Sequence, residues 1–190
     1  MSRIPFPTPE TMSPEQRAVY DRVVSGPRGK IEGPLRAALY NAELADKWQA
    51  LGAQLRYNTS LPPRLSEIAI LAAGRVCESP FEWYAHRRES EKVGIEKDIL
   101  DAMLAQTEVP FRAIDEELVY NYARELSIHR SVSDKTYAAT LAHFGALTVV
   151  ELTALVGYYT MVSMTLNAHE IPLPEGVEPA FPLPQHSGLV

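Results

Sequence analysis

Cysteine is almost absent: Cys77 stands alone in 190 residues. An internal disulfide is excluded, and a cysteine-based zinc site lacks its ligands. Basic character is scarce as well. Lysine and arginine form no run and do not interleave with aromatics, and 18 Lys+Arg against 24 Asp+Glu give a formal charge of −6. That balance offers no electrostatic basis for binding nucleic acid or an anionic membrane. No segment alternates apolar and polar residues as a half-buried strand does, and no fixed period repeats. The opening MSRIPFPTPETMSPEQ lacks the apolar core of a signal peptide. A cytoplasmic protein is the expectation.

What the chain has is helical periodicity and helix punctuation. Residues 1–12 read as an extended N-terminal arm, 13–170 as a single all-helical domain, and 171–190 as a Pro-rich C-terminal tail. Ser13-Pro14-Glu15-Gln16 combines an N-cap, a proline at N1 and a glutamine at N3. Asn41 is placed to cap a helix over about 42–57, with Leu44, Trp48, Leu51 and Leu55 as its buried stripe. Pro62 and Pro63 open the next helix, and Glu78-Ser79-Pro80 turns it into another that Gly94 closes. A helix over 97–105 follows. Then comes a longer one over about 112–129, whose apolar set is Ile114, Leu118, Tyr122 or Val119, Leu126 and Ile128. Ser133-Asp134 caps a helix to Phe144, Gly145 ends it, and a last helix runs over about 148–167. The fold class is all-α, with about eight helices.

Two apolar stretches carry one acid each. Residues 146–168 hold a single charge, Glu151, over a length that could span a bilayer. Four threonines and the lack of basic anchors favour a central helix of a soluble protein, shared with a neighbouring copy if the monomer cannot cover it. In the helix after Pro63, Glu67 sits among Leu65, Ile68, Ala69, Ile70, Leu71, Ala72 and Ala73. A lone acid in such a setting pairs with a cation such as Arg64 or Arg75, or points into a confined site.

The helix after Pro80 places Glu82 and His86 four residues apart on one face. A solvated Glu–His pair is the plain reading. The neighbouring Phe81, Trp83, Tyr84 and Ala85 leave little polar surface on that turn, which favours a sheltered acid–base pair. With Glu67, three titratable groups could converge. A metal is the competing reading for two carboxylates and an imidazole. Carboxylate-bridged bundles use Glu-x-x-His and more ligands, whereas this spacing is longer and occurs once, so no metal is the expectation. Cys77 reads as a small apolar residue near a helix end, with a nucleophile as its alternative.

Leu61-Pro-Pro-Arg-Leu-Ser-Glu-Ile-Ala-Ile-Leu, followed by Phe81-Glu-Trp-Tyr-Ala-His86, resembles the carboxymuconolactone decarboxylase family. That family shares the helical fold of the alkylhydroperoxidase D proteins. The resemblance implies an all-helical homo-oligomer, a trimer or hexamer with a dimer as the alternative, and an active site among helices near a subunit interface. In the peroxidase branch an upstream Glu precedes Cys-x-x-Cys, and a His follows four residues after the second Cys. On this chain the Glu falls at Glu67, the His at His86, and the two cysteine positions at Ser79 and Glu82. Without the thiol pair, peroxide reduction by the usual route of that branch is closed. The Glu-x-x-x-His form resembles the decarboxylase branch, whose implied chemistry is cofactor-independent proton transfer on a carboxylated lactone or related organic acid. In that reading Glu67, Glu82 and His86 are catalytic, and Trp83, Tyr84 and Arg56 shape or anchor the substrate. The alternatives are an alkylhydroperoxidase-like antioxidant role and a non-catalytic oligomeric small-molecule-binding protein.

Overall fold

The computed structural model describes residues 2–26 and 29–183. Pro27, Arg28 and the last residues of the expected tail, His186 among them, lie outside them. Among the described residues there are eight helices and no strand: α1 Pro14–Ser25, α2 Pro34–Ala38, α3 Ala42–Tyr57, α4 Pro63–Val76, α5 Pro80–Lys92, α6 Lys97–Ala105, α7 Ile114–His129 and α8 Asp134–Ala168. The fold is all-α.

Local chemistry sets the boundaries. The Ser13 hydroxyl accepts from the Gln16 amide while the Gln16 side chain accepts from the Ser13 amide, a complete capping box. Asn41 and Ser133 cap α3 and α8 by accepting from Leu44 N and Thr136 N. Within α8, Gly145 takes φ 78° and ψ 169°. That left-handed-side backbone interrupts the helix where the sequence places a stop, and a second helical segment resumes directly.

α4 is the centre. Every residue from Leu65 to Gly74 is buried, and α4 packs against α5, α7 and α8. α7 packs on α8 along its other side. Two expected stripes are rotated. On α3 the buried residues are Ala45, Trp48, Gly52 and Leu55, while Leu44 and Leu51 are exposed. The small Ala45 and Gly52 allow close approach, so the buried sector centres on them and the larger leucines lie outside it. On α7, Ile114 is exposed and the buried face is Glu116, Val119, Tyr122 and Ala123. Glu116 is drawn inward because Arg64 Nε meets its carboxylate at 2.5 Å, a partner that periodicity cannot register.

The termini meet at the end of α8. The Arg3 amide and the Ser2 hydroxyl both donate to the His169 carbonyl, and Arg3 pairs with Glu170 at 2.6 Å. Beyond this knot the tail crosses α4 and α5. Phe181 stacks edge-on against Trp83 at 6.3 Å and lies under the Arg75 guanidinium at 4.5 Å.

Candidate active site between α4 and α5

Glu67 sits midway along α4, and Glu82 and His86 occupy the first two turns of α5. The connection is tight. Glu78 adopts φ 49°, and the Asn167 side-chain amide donates to the Cys77 carbonyl at 2.8 Å and the Glu78 carbonyl at 3.3 Å. α8 therefore holds the turn from outside. Gly74 lets the two helices approach: a Cβ there would stand 3.2 Å from Glu82 Cβ, closer than relaxed packing allows.

The result is an imidazole between two carboxylates. His86 Nδ1 is 2.6 Å from Glu67 Oε2, and Nε2 is 3.4 Å from Glu82 Oε2. All three residues are buried, at 4–5 % exposure. A neutral imidazole has one N–H and one lone pair, and an ionised carboxylate only accepts. Two carboxylates facing both nitrogens are satisfied when both nitrogens carry protons, or when one nitrogen and one carboxyl do. The cluster is built to hold a transferable proton.

Two further elements complete it. Arg56 from α3 places Nη2 3.7 Å from Glu67 and 3.9 Å from Glu89. Burial works against its charge, but the surrounding acidic groups, Glu67 and Glu89 among them, outweigh that cost, so the guanidinium is held charged more firmly than usual. Tyr159 from α8 meets the His86 ring edge-on at 4.9 Å. Burial pushes its phenol well above the ordinary range; Arg56 opposes the rise, and Glu82 and Glu67 add to it. Tyr159 stays neutral at any working pH.

A cavity of about 440 Å³ reaches His86. Its walls include Arg56, Tyr84, Arg88 and Glu89, with Lys30 and Glu32 from the segment before α2. Of the residues expected to shape a pocket, Arg56 and Tyr84 line this cavity. Trp83 does not: at 1 % exposure it packs in the core against Phe181. Its indole is turned into the core, away from the cavity that Tyr84 lines. Glu67 pairs with neither Arg64 nor Arg75. Arg64 is taken by Glu96 and Glu116, and Arg75 donates to the Leu104 carbonyl. Tyr159, Arg88 and Glu89 were not anticipated. Arg88 and Glu89 were legible as the polar end of α5; nothing local marks Tyr159 within a continuous apolar run.

Among the described residues no group of three or more His, Cys, Asp and Glu is arranged to hold a metal ion. Cys77 lies outside the cluster. Burial raises its thiol above the ordinary value, against a Thr160 hydrogen bond and the Arg130 charge, so it is a weak nucleophile at neutral pH.

Residues 42–125, which contain Arg56, Glu67, Glu82 and His86, match the model of the carboxymuconolactone decarboxylase family. That match spans less than half of the chain. No curated protein matches the chain. Solved structures share the fold of the family at low identity. A Ralstonia eutropha protein described as an alkylhydroperoxidase AhpD core and peroxidase-related superposes with TM-score 0.74 and 11 % identity, covering 92 % of this chain and 93 % of that one. A peroxidase-related protein from a Silicibacter species gives 0.71 and 12 %, covering 90 % and 89 %. An Agrobacterium tumefaciens protein of unknown function, described as a candidate antioxidant defence protein of the AhpD type, gives 0.68 and 18 %, covering 77 % and 100 %. These likenesses establish the alkylhydroperoxidase D-like fold.

Proposed function

We propose that this family region carries a cofactor-independent acid–base enzyme that transfers a proton to or from a small carboxylated lactone or related organic acid, with decarboxylation as the reaction. The observation that carries the reading is the buried His86 held between Glu67 and Glu82 at the end of a cavity open to a ligand. In decarboxylation the bond to the carboxyl carbon breaks and CO₂ leaves. The electron pair stays on the substrate carbon, which takes a proton from the cluster, and solvent then restores that proton. His86 is the donor, and Glu67 and Glu82 keep its ring oriented. Arg56 and Tyr84 contribute to substrate binding. Turnover in D₂O tests this: product carrying one deuterium at the carbon that lost the carboxyl supports it, and His86→Asn should abolish the reaction while leaving the helical signal intact.

An antioxidant, peroxide-reducing role is the second reading, favoured by the descriptions of the Ralstonia and Silicibacter relatives. Cys77 would have to act without a resolving thiol. Peroxide consumption that disappears in Cys77→Ser would replace the first reading with this one.

We also propose a cytoplasmic homo-oligomer. α8 is the one helix among the described residues that is long and apolar enough to cross a membrane by length and composition. One of its faces packs on α4 and α7. The opposite face, Leu147, Val150, Ala154, Gly157, Met161 and Met164, is exposed and uncharged at alternating three- and four-residue spacing. That is the pattern of a helix–helix seam, about 26 Å long. Nothing lies within 4 Å of a Cβ built on Gly157, leaving room for a close-packed helix from a second copy.

A further inference from the structure

We propose that the His86 cavity and a neighbouring apolar cavity form one binding site for a carboxylate bearing an extended apolar substituent, with Arg88 as the carboxylate anchor and Phe81 as the passage between the two halves. The inference rests on the acid–base reading for what happens to the bound molecule, but not for the binding itself.

The anchor follows from a charge inventory of the polar cavity. Four cations line it: Lys30, Arg56, Arg88 and Lys92. Three are engaged by carboxylates. Lys30 meets Glu32 at 2.7 Å, Lys92 meets Glu89 at 2.7 Å, and Arg56 stands between Glu67 and Glu89. Arg88 has no carboxylate within ion-pair distance among the described residues. Instead its Nη1 donates to the Tyr84 hydroxyl at 2.9 Å and the guanidinium lies over the Tyr84 ring at 5.5 Å. The side chain is thus oriented by a neutral partner while its charge and other N–H groups stay available. A planar fork held this way matches a carboxylate.

The second half lies where the tail crosses the start of α5 and the end of α8. This cavity, of about 390 Å³, is lined by Phe81, Leu166, Ile171, Leu173, Val177 and Leu183 together with prolines, and no cation among the described residues faces it. Its one acid, Glu170, is paired with Arg3. The tail that forms it is fixed by the knot at His169 and by Phe181 on Trp83. Phe81 lines both cavities, and the consecutive residues Leu173 and Pro174 line the apolar and the polar one respectively. Gly33 backs the Phe81 ring so closely that a Cβ would stand 3.0 Å from its Cε1. A ligand with its carboxylate on Arg88 can therefore run past His86 and along Phe81 with its apolar end under the tail.

Isothermal titration calorimetry on the intact protein with butanoate, hexanoate, octanoate and decanoate tests this. Affinity should rise along the series by roughly ten-fold for each two added methylenes until the apolar cavity is full. Arg88→Gln should weaken every member by about ten-fold and leave the chain-length dependence intact. Leu173→Trp should flatten that dependence and leave butanoate unaffected. Equal affinity across the series, full binding in Arg88→Gln, or an unchanged dependence in Leu173→Trp would each overturn the proposal. The two proposals fail separately. A chain-length dependence in a protein whose turnover survives His86→Asn would sink the acid–base reading alone. Loss of turnover in His86→Asn with no chain-length dependence would sink this one alone.

Discussion

α4 and α8 are both apolar on most faces, and each carries one acid in the middle of its apolar stretch. Their fates differ. Glu67 on α4 is buried and faces His86 at 2.6 Å, with Arg56 behind it. Glu151 on α8 is half-buried and accepts from both the amide and the hydroxyl of Ser60, at 2.8 and 2.6 Å. Ser60 lies in the bend before α4, so Glu151 ties that bend to α8. One acid belongs to a buried acid–base cluster; the other is a tether at the edge. An isolated acid in an apolar helix does not by itself mark a site. What marks it is a second titratable group that only another helix can supply.

The helices differ again in what covers them. α4 is enclosed by α5, α7 and α8. α8 leaves a continuous apolar seam open. Enclosure lets α4 bury a carboxylate–imidazole cluster away from water, where its interactions are strongest. The open seam of α8 is instead surface that costs free energy until another helix covers it.

Four substitutions separate these roles, from the largest expected effect to the smallest. Glu67→Gln should lower kcat by roughly 10²–10³-fold through loss of the carboxylate that orients His86, with stability little changed; an active Glu67→Gln enzyme would break the contrast with Glu151. Val150→Glu should convert the proposed oligomer to monomer in light scattering after size exclusion, because a symmetric seam then confronts like charges in a desolvated contact. An unchanged mass would mean the seam is not the interface. Glu151→Ala should cost about 1 kcal/mol in urea unfolding, the scale of a charge-assisted hydrogen bond that is partly solvated, and leave kcat within two-fold. Cys77→Ser should be nearly silent in activity. The raised thiol value has a pH consequence of definite sign: less thiolate is present at mildly alkaline pH than for a free cysteine. Alkylation of Cys77 by iodoacetamide should therefore be slower than that of a cysteine peptide at the same pH and converge with it as pH rises.

Helix number and boundaries were legible because they rest on local chemistry. Ser13, Asn41 and Ser133 cap the helices they precede, the prolines at 14, 63 and 80 begin helices, and Gly145 interrupts one. Each of these involves atoms within a turn of one another. Helical spacing also put Glu82 and His86 on one face. The resemblance to the family, rather than periodicity, aligned Glu67 with them.

Other features were settled only when the helices packed. Arg56 reaches Glu67 because α3 crosses near α4, while the nearer cations in sequence, Arg64 and Arg75, are drawn to Glu116, Glu96 and the Leu104 carbonyl. Trp83 and Tyr84 are adjacent aromatics, yet one is sealed under Phe181 and the other faces the cavity. Tyr159 joins His86 from the far end of the chain, and the apolar cavity exists only where the tail folds back over α5. The sequence by itself determined where the helices begin and end and that an acid and an imidazole share one face of α5. Tertiary structure decided which charges meet and which apolar faces stay open, because those depend on side chains brought together from distant segments, where geometry rather than spacing sets distance and burial.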